Sequence, residues 1–181
     1  MEARQVLFIQ GGGDDGYEAD KVLAASLKNN LGKGYQVDYP EIQSDETLPN
    51  FGWTKQIREN ILRFNHGFLL VGHSFGASMI LKYLSENSVS KIIDGIFLLA
   101  TPFWGGNEEW QKSLKLKENF ADKLPEVPIF FYHCQDDEEI PISHVHYYKQ
   151  KLTRATFREI KSGGHQFSNG LILITRDIKS L

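Results

Sequence analysis

The chain has 181 residues, 41% of them apolar and 24% charged, with 20 Lys and Arg against 23 Asp and Glu. That composition belongs to a folded globular chain rather than a disordered one. A net charge of −3 excludes a general nucleic-acid or anionic-membrane surface, which needs a basic excess. The lone cysteine, Cys134, excludes an internal disulfide and asks for no oxidising compartment. No stretch of 18 apolar residues and no signal-peptide pattern is present, so the expectation is a cytoplasmic protein without a membrane partner.

Apolar runs and helical stripes alternate along the chain. Val6–Ile9 reads as the first strand. Leu23, Leu27 and Leu31 then recur every four residues before Gly32 and Gly34, a helix with its stop signals. Tyr35–Tyr39 is a weaker strand, and Ile57, Ile61 and Phe64 form a second helical stripe. Phe68–Val71 is a third strand, followed by the stripe Ala77, Ile80, Leu81 and Leu84. Ile96–Ala100 and Val127–Tyr132 are continuously apolar, the pattern of strands buried on both faces of a parallel sheet. A helix over His144–Leu152 and a strand over Thr156–Ile160 follow. The longest connection, Thr101–Glu126, is expected to hold one helix within Asn107–Lys123. No repeat, linker or low-complexity segment divides the chain, so one doubly wound α/β domain over residues 1–181 is expected.

Three segments carry candidate chemistry. The first is Gly72-His73-Ser74-Phe75-Gly76, a G-x-S-x-G string between a strand and a helix. In that context the string reads as a nucleophile elbow, with Ser74 on a sharp turn and the Phe75 N–H at a helix N-terminus. The bare string arises by chance in about one chain of this length in twenty. The second is the acidic stretch Asp136-Asp137-Glu138-Glu139, just past a strand, where a carboxylate that orients a histidine belongs; a solvated acidic loop is its plain alternative. The third is Ser162-Gly163-Gly164-His165, after the last strand, whose glycines let a loop carry His165 over the sheet edge. Serine, then acid, then histidine, each after a different strand, is the order of one fold's catalytic triad.

On these residues the chain resembles the α/β-hydrolases, in a small form without a lid domain, from the first strand through His165. Asp137-Glu138-Glu139-Ile140-Pro141 is similar to the family's acid segment, with Asp three residues before an aliphatic–proline pair, and this favours Asp137 over Asp136. Gly164-His165 is similar to its histidine loop. Gln10-Gly11-Gly12 stands where many members have His-Gly, Cys134 stands where a glycine is usual, and the two leading antiparallel strands of larger members are missing. The resemblance implies about six parallel strands in the order 2-1-3-4-5-6. It also implies a serine hydrolase in which Ser74 is the nucleophile, His165 the base and Asp137 the acid. The Phe75 and Gly12 amides would form the oxyanion hole. A carboxyl ester of modest size is the favoured substrate, with thioester and amide behind it, and no metal or organic cofactor is implied. Phe103, Trp104 and Trp110 are candidates to wall an acyl pocket, or else to pack the following helix.

Two other classes of function compete. Gly11-Gly12-Gly13-Asp14-Asp15-Gly16 fits a dinucleotide-binding G-x-G-x-x-G, with Asp38 as the ribose acid. Against it, Asp14 and Asp15 would meet a pyrophosphate with like charge and serve better as helix N-caps. The alternative is a non-catalytic, partner-binding member of the fold. His144 and His146, with His133 and Asp136, lack a persuasive metal-ligand spacing and are expected at the surface. Cys134 is expected to be a buried strand-end residue.

Overall fold

The computed structural model describes residues 3–181. In β1 (Arg4–Ile9) every second side chain faces the same way, and Val6, Leu7, Phe8 and Ile9 are all wholly buried. Such a strand needs cover on both sides. Helix α1 (Gly16–Leu31) follows and brings Leu23, Leu27 and Leu31 onto the face of Val6 and Phe8. β2 (Tyr35–Asp38) returns parallel to β1. Helix α2 (Trp53–Leu62) lays Trp53, Ile57 and Ile61 on the opposite face, that of Leu7 and Ile9.

The remaining units repeat the winding: β3 (Phe68–His73) with α3 (Ser74–Glu86), β4 (Ile93–Leu99), β5 (Ile129–Cys134) with helix α5 (Ser143–Lys151), and β6 (Thr156–Ile160). The six strands form one parallel sheet in the order β2-β1-β3-β4-β5-β6, as expected. The chain winds one way from β1 to β2 and the other way from β3 onward. The crevice between the C-terminal ends of β1 and β3 is therefore a switch point, where ligands of open α/β sheets bind.

Two expectations need correction, and one element is new. The connection before β5 holds no helix of useful length, only α4 (Glu109–Lys112) and a 3₁₀ turn at Phe120–Lys123. Leu114, Leu116, Phe120 and Leu124, all buried, anchor it. Lys82 fastens it further by donating to the Lys115 carbonyl at 3.0 Å. A last helix, α6 (Ile172–Lys179), was not anticipated; it covers the α1 face of the sheet with Ile174 and Ile178. Asp15 takes the N-cap position of α1, yet its side chain makes no capping hydrogen bond. Among the described residues no helix is long and apolar enough to cross a membrane.

Candidate active site

β3 ends at His73 and α3 begins at Ser74 with no residue between, so the chain must reverse within one residue. Ser74 does this at φ 49°, a conformation rare for a residue with a side chain. Two glycines let the turn close. A Cβ at position 72 would fall 2.6 Å from Ile80 and 2.9 Å from the Ala77 backbone, and one at 76 would overlap the Gln10 carbonyl. The helix N-terminus is thereby pressed against the loop after β1. The Phe75 and Gly12 amides, on the two sides of this contact, have no hydrogen-bond partner among the described residues. Ala100 at the end of β4 and Phe167 near His165 are also held at positive φ.

In the acidic stretch after β5, Asp136, Glu138 and Glu139 are exposed, yet the stretch is tied to the histidine loop. Its four carboxylates meet the histidine loop at five points. Asp136 accepts the Gly163 and Gly164 amides at 3.2 and 2.9 Å, and Glu138 accepts the His165 amide at 3.0 Å. Asp137 takes the ring, its two oxygens 3.1 and 3.0 Å from His165 Nδ1. Glu139 lies 3.5 Å from the other ring nitrogen, Nε2. Gly163 (φ 143°) and Gly164 (φ 62°) allow the loop to turn back over the sheet edge.

Electrostatics follow from these contacts. Burial opposes charge on both Asp137 and His165. The hydrogen bond from His165 and the amides of Ile140 and Glu139 outweigh it for Asp137, whose pKa is lowered. For His165, the hydrogen bond to Asp137 and the charges of Asp137, Glu139 and Asp20 outweigh it, and the pKa is raised. His133 Nε2 lies 3.6 Å from Asp137 Oδ2. Its Nε2–H donates to the Ile140 carbonyl at 2.8 Å, and burial lowers its pKa.

Ser74 opens into a cleft of about 590 Å³, lined also by Gly12, Phe75, Trp104 and Ile140. The structure pairs Asp137 with His165 directly, and Ser74 makes no hydrogen bond to either. Of the three pocket aromatics, only Trp104 lines the cleft, edge-on to Phe75 and donating to Ser78 Oγ at 3.0 Å. Phe103 instead stacks on Tyr147 at 3.6 Å, and Trp110 is 46% exposed behind Trp104. Phe51 and Tyr17 complete the aromatic lining. Four carboxylates face the cleft, those of Asp14, Glu41, Glu46 and Glu139, and no Lys or Arg is among its lining residues.

Two buried residues went unnoticed in the sequence. His73 and Asp20 are each 1% exposed, with Nδ1 and Oδ2 2.8 Å apart. The same Asp20 oxygen accepts the Gly11 amide at 2.7 Å. The first amide of the glycine loop is thus engaged inside the protein rather than turned towards a pyrophosphate, and Asp38 lies 3.7 Å from Arg63. The signal for Asp20 was an acid on the apolar stripe of α1, in line with Leu23, Leu27 and Leu31.

The histidines weighed as metal ligands have separate partners. His144 is half-buried rather than a surface residue, because its Nδ1 accepts the Phe103 amide at 2.8 Å. His146 is exposed, 3.4 Å from Glu159. Cys134 is buried at the end of β5, and burial, with the nearby acids, pushes its thiol up to about 12. A thiol so weakly acidic is a poor nucleophile.

This sheet order, with the site at the C-terminal strand ends, is that of the α/β-hydrolase fold. Est1E from Butyrivibrio proteoclasticus superposes with a TM-score of 0.76 at 16% identity, over 99% of this chain and 86% of that one. The ydeN gene product from B. subtilis gives 0.70 at 18% identity, over 98% of each chain. A putative hydrolase of the alpha/beta superfamily from Xanthomonas campestris gives 0.67 at 18% identity, over 100% of each. Comparison with curated protein sequences finds no match. Residues 24–170 match the family described as serine hydrolase. The chain belongs to that family.

Proposed function

We propose that the protein cleaves a small carboxyl ester, or a related thioester or amide, through an acyl-enzyme on Ser74. The observation that carries this reading is the oriented His165–Asp137 pair, whose imidazole lies 4.7 Å from that of His73, the residue before Ser74. His165, its Nδ1–H held by Asp137, keeps Nε2 for the Ser74 proton. Ser74 Oγ attacks the carbonyl carbon, the Phe75 and Gly12 amides receive the oxyanion, and protonated His165 passes its proton to the leaving group. Water then repeats the sequence and frees the acid. Catalytic hydrogen bonds are often long before substrate arrives, which accommodates the missing Ser74–His165 bond. Trp104 and Phe51 wall the acyl side, and the cleft's volume supports a substrate of modest size.

A fluorophosphonate probe, read by intact mass, tests this on wild type and Ser74→Ala. One adduct on wild type and none on the variant is expected, with ester turnover reduced by about 10⁶-fold in the variant. A folded wild type that carries no adduct, or an adduct that survives the substitution, overturns the reading.

A further inference from the structure

The mechanism above makes no use of His73 or Asp20, yet both are buried at the centre of the site. His73 Nε2 lies 3.0 Å from the backbone carbonyl of His165, and the two imidazole rings are 4.7 Å apart. A carbonyl only accepts, so Nε2 carries a hydrogen. Nδ1 lies 2.8 Å from Asp20 Oδ2, an oxygen that already accepts the Gly11 amide. That short contact requires a further proton between the two side chains. A hydrogen bond at each ring nitrogen fixes the His73 imidazole between the histidine loop and Asp20.

These bonds join three segments. The His73 backbone adjoins Ser74, its Nε2–H holds the residue proposed as base, and Asp20 holds the amide next to Gly12. A Cβ at Gly11 would lie 3.3 Å from His73 Nδ1 and 3.4 Å from Ser74 Cβ, so the first loop and the elbow meet closely.

We infer that His73 and Asp20 are a positioning pair, setting the register of base, nucleophile and oxyanion loop by tying the His165 carbonyl and the Gly11 amide to the residue beside Ser74. The inference rests on the proposed function. Neither side chain touches the reacting atoms; they act through His165 and the first loop. A displacement of about 1 Å in such a constellation costs on the order of 10²-fold in rate.

Two substitutions separate positioning from plain stability. An asparagine amide nitrogen falls near the place of Nδ1, so H73N keeps the bond to Asp20 and releases the His165 carbonyl. A glutamine amide nitrogen falls near Nε2, so H73Q keeps the hold on His165 and strands the Asp20 carboxylate. Melting temperature should then rank H73N above H73Q, because a buried carboxylate without its partner is costly. Rate should rank the other way. Well below both melting temperatures, kcat on p-nitrophenyl acetate should fall about 10- to 100-fold in H73N with KM within about twofold, and stay within about fivefold in H73Q. If H73Q does not fold, H73Q combined with D20N, which removes the stranded charge, takes its place. Activity that follows melting temperature, equal losses in both variants, or a change confined to KM overturns the positioning role. The fluorophosphonate adduct on wild type is read in the same experiment. Its absence defeats the serine-hydrolase reading, whereas its presence with the wrong ranking defeats only this inference.

Discussion

Both oxygens of Asp137 lie within 3.1 Å of His165 Nδ1, and the two side chains are only 1% and 3% exposed. The bond is shielded from water, and Asp137 is itself fixed by the Glu139 and Ile140 amides at 2.9 and 2.8 Å. The imidazole thus has one orientation and one tautomer imposed on it.

Asp137→Asn should therefore be far more damaging than Asp136→Asn. Asparagine presents an N–H as readily as an oxygen to Nδ1, and the wrong tautomer costs about 10⁴ in kcat. Asp136 holds only the Gly163 and Gly164 amides, so its substitution should lower kcat by about tenfold or less, through a looser loop. Steady-state kinetics on p-nitrophenyl acetate decide it; a reversed order reassigns the acid to Asp136.

The raised pKa of His165 sets the alkaline direction of the pH profile. As the proposed base, His165 works only when neutral, so kcat/KM should rise with pH and reach half-maximum above the ordinary histidine value of 6.5. Glu139→Gln removes a charge that favours the imidazolium, and should shift that midpoint down. Stability runs oppositely. The contribution from protonated His165 is complete below 6.5 and is lost as pH rises through its folded value. That of Asp137 is complete above 3.8 and is lost as pH falls through its lowered folded value. Parallel kcat/KM and melting profiles of wild type and E139Q check both signs; an unmoved midpoint removes Glu139 from the account.

The carboxylates of Asp14, Glu41, Glu46 and Glu139 around the cleft should sort substrates by charge. A choline-like ester should exceed a hemisuccinate ester of equal length by about tenfold in kcat/KM at low salt. The gap should shrink as added salt shortens the screening length. Equal rates for the two esters, or a gap indifferent to salt, would show that the charge lies outside the substrate's path.

How much of this was legible in the sequence depended on whether a signal was local. Val6–Ile9 and Phe68–Val71 read as buried parallel strands because both faces of each are apolar, and the sheet order followed once the fold was recognised. The acids of Asp136–Glu139 were placed at the right strand end, but their division of labour depends on where Gly163, Gly164 and His165 return in space. The helix expected within Asn107–Lys123 does not form; Leu114, Leu116 and Phe120 are buried all the same, in a connection whose 3₁₀ turn packs on α3, and such non-local burial leaves no sequence signal of its own. His73 was read as a variable letter of a motif. Its role needs Asp20, 53 residues earlier, and such a pairing has no period to detect.

The close approach at Gly72 and Gly76 bears on how much the five-letter motif can be trusted as a search string. As letters, it fixes three positions and recurs in about one chain in twenty of this length. As a folded object, it fixes several more. Position 76 has no room for a Cβ because Gln10 is there, and position 72 has none because Ala77 and Ile80 are there. Each glycine is half of a sentence completed elsewhere in the chain. A query that also demanded a small residue directly after the motif, an aliphatic three further on, and an apolar strand running into glycines well upstream would discard most chance matches and keep this one.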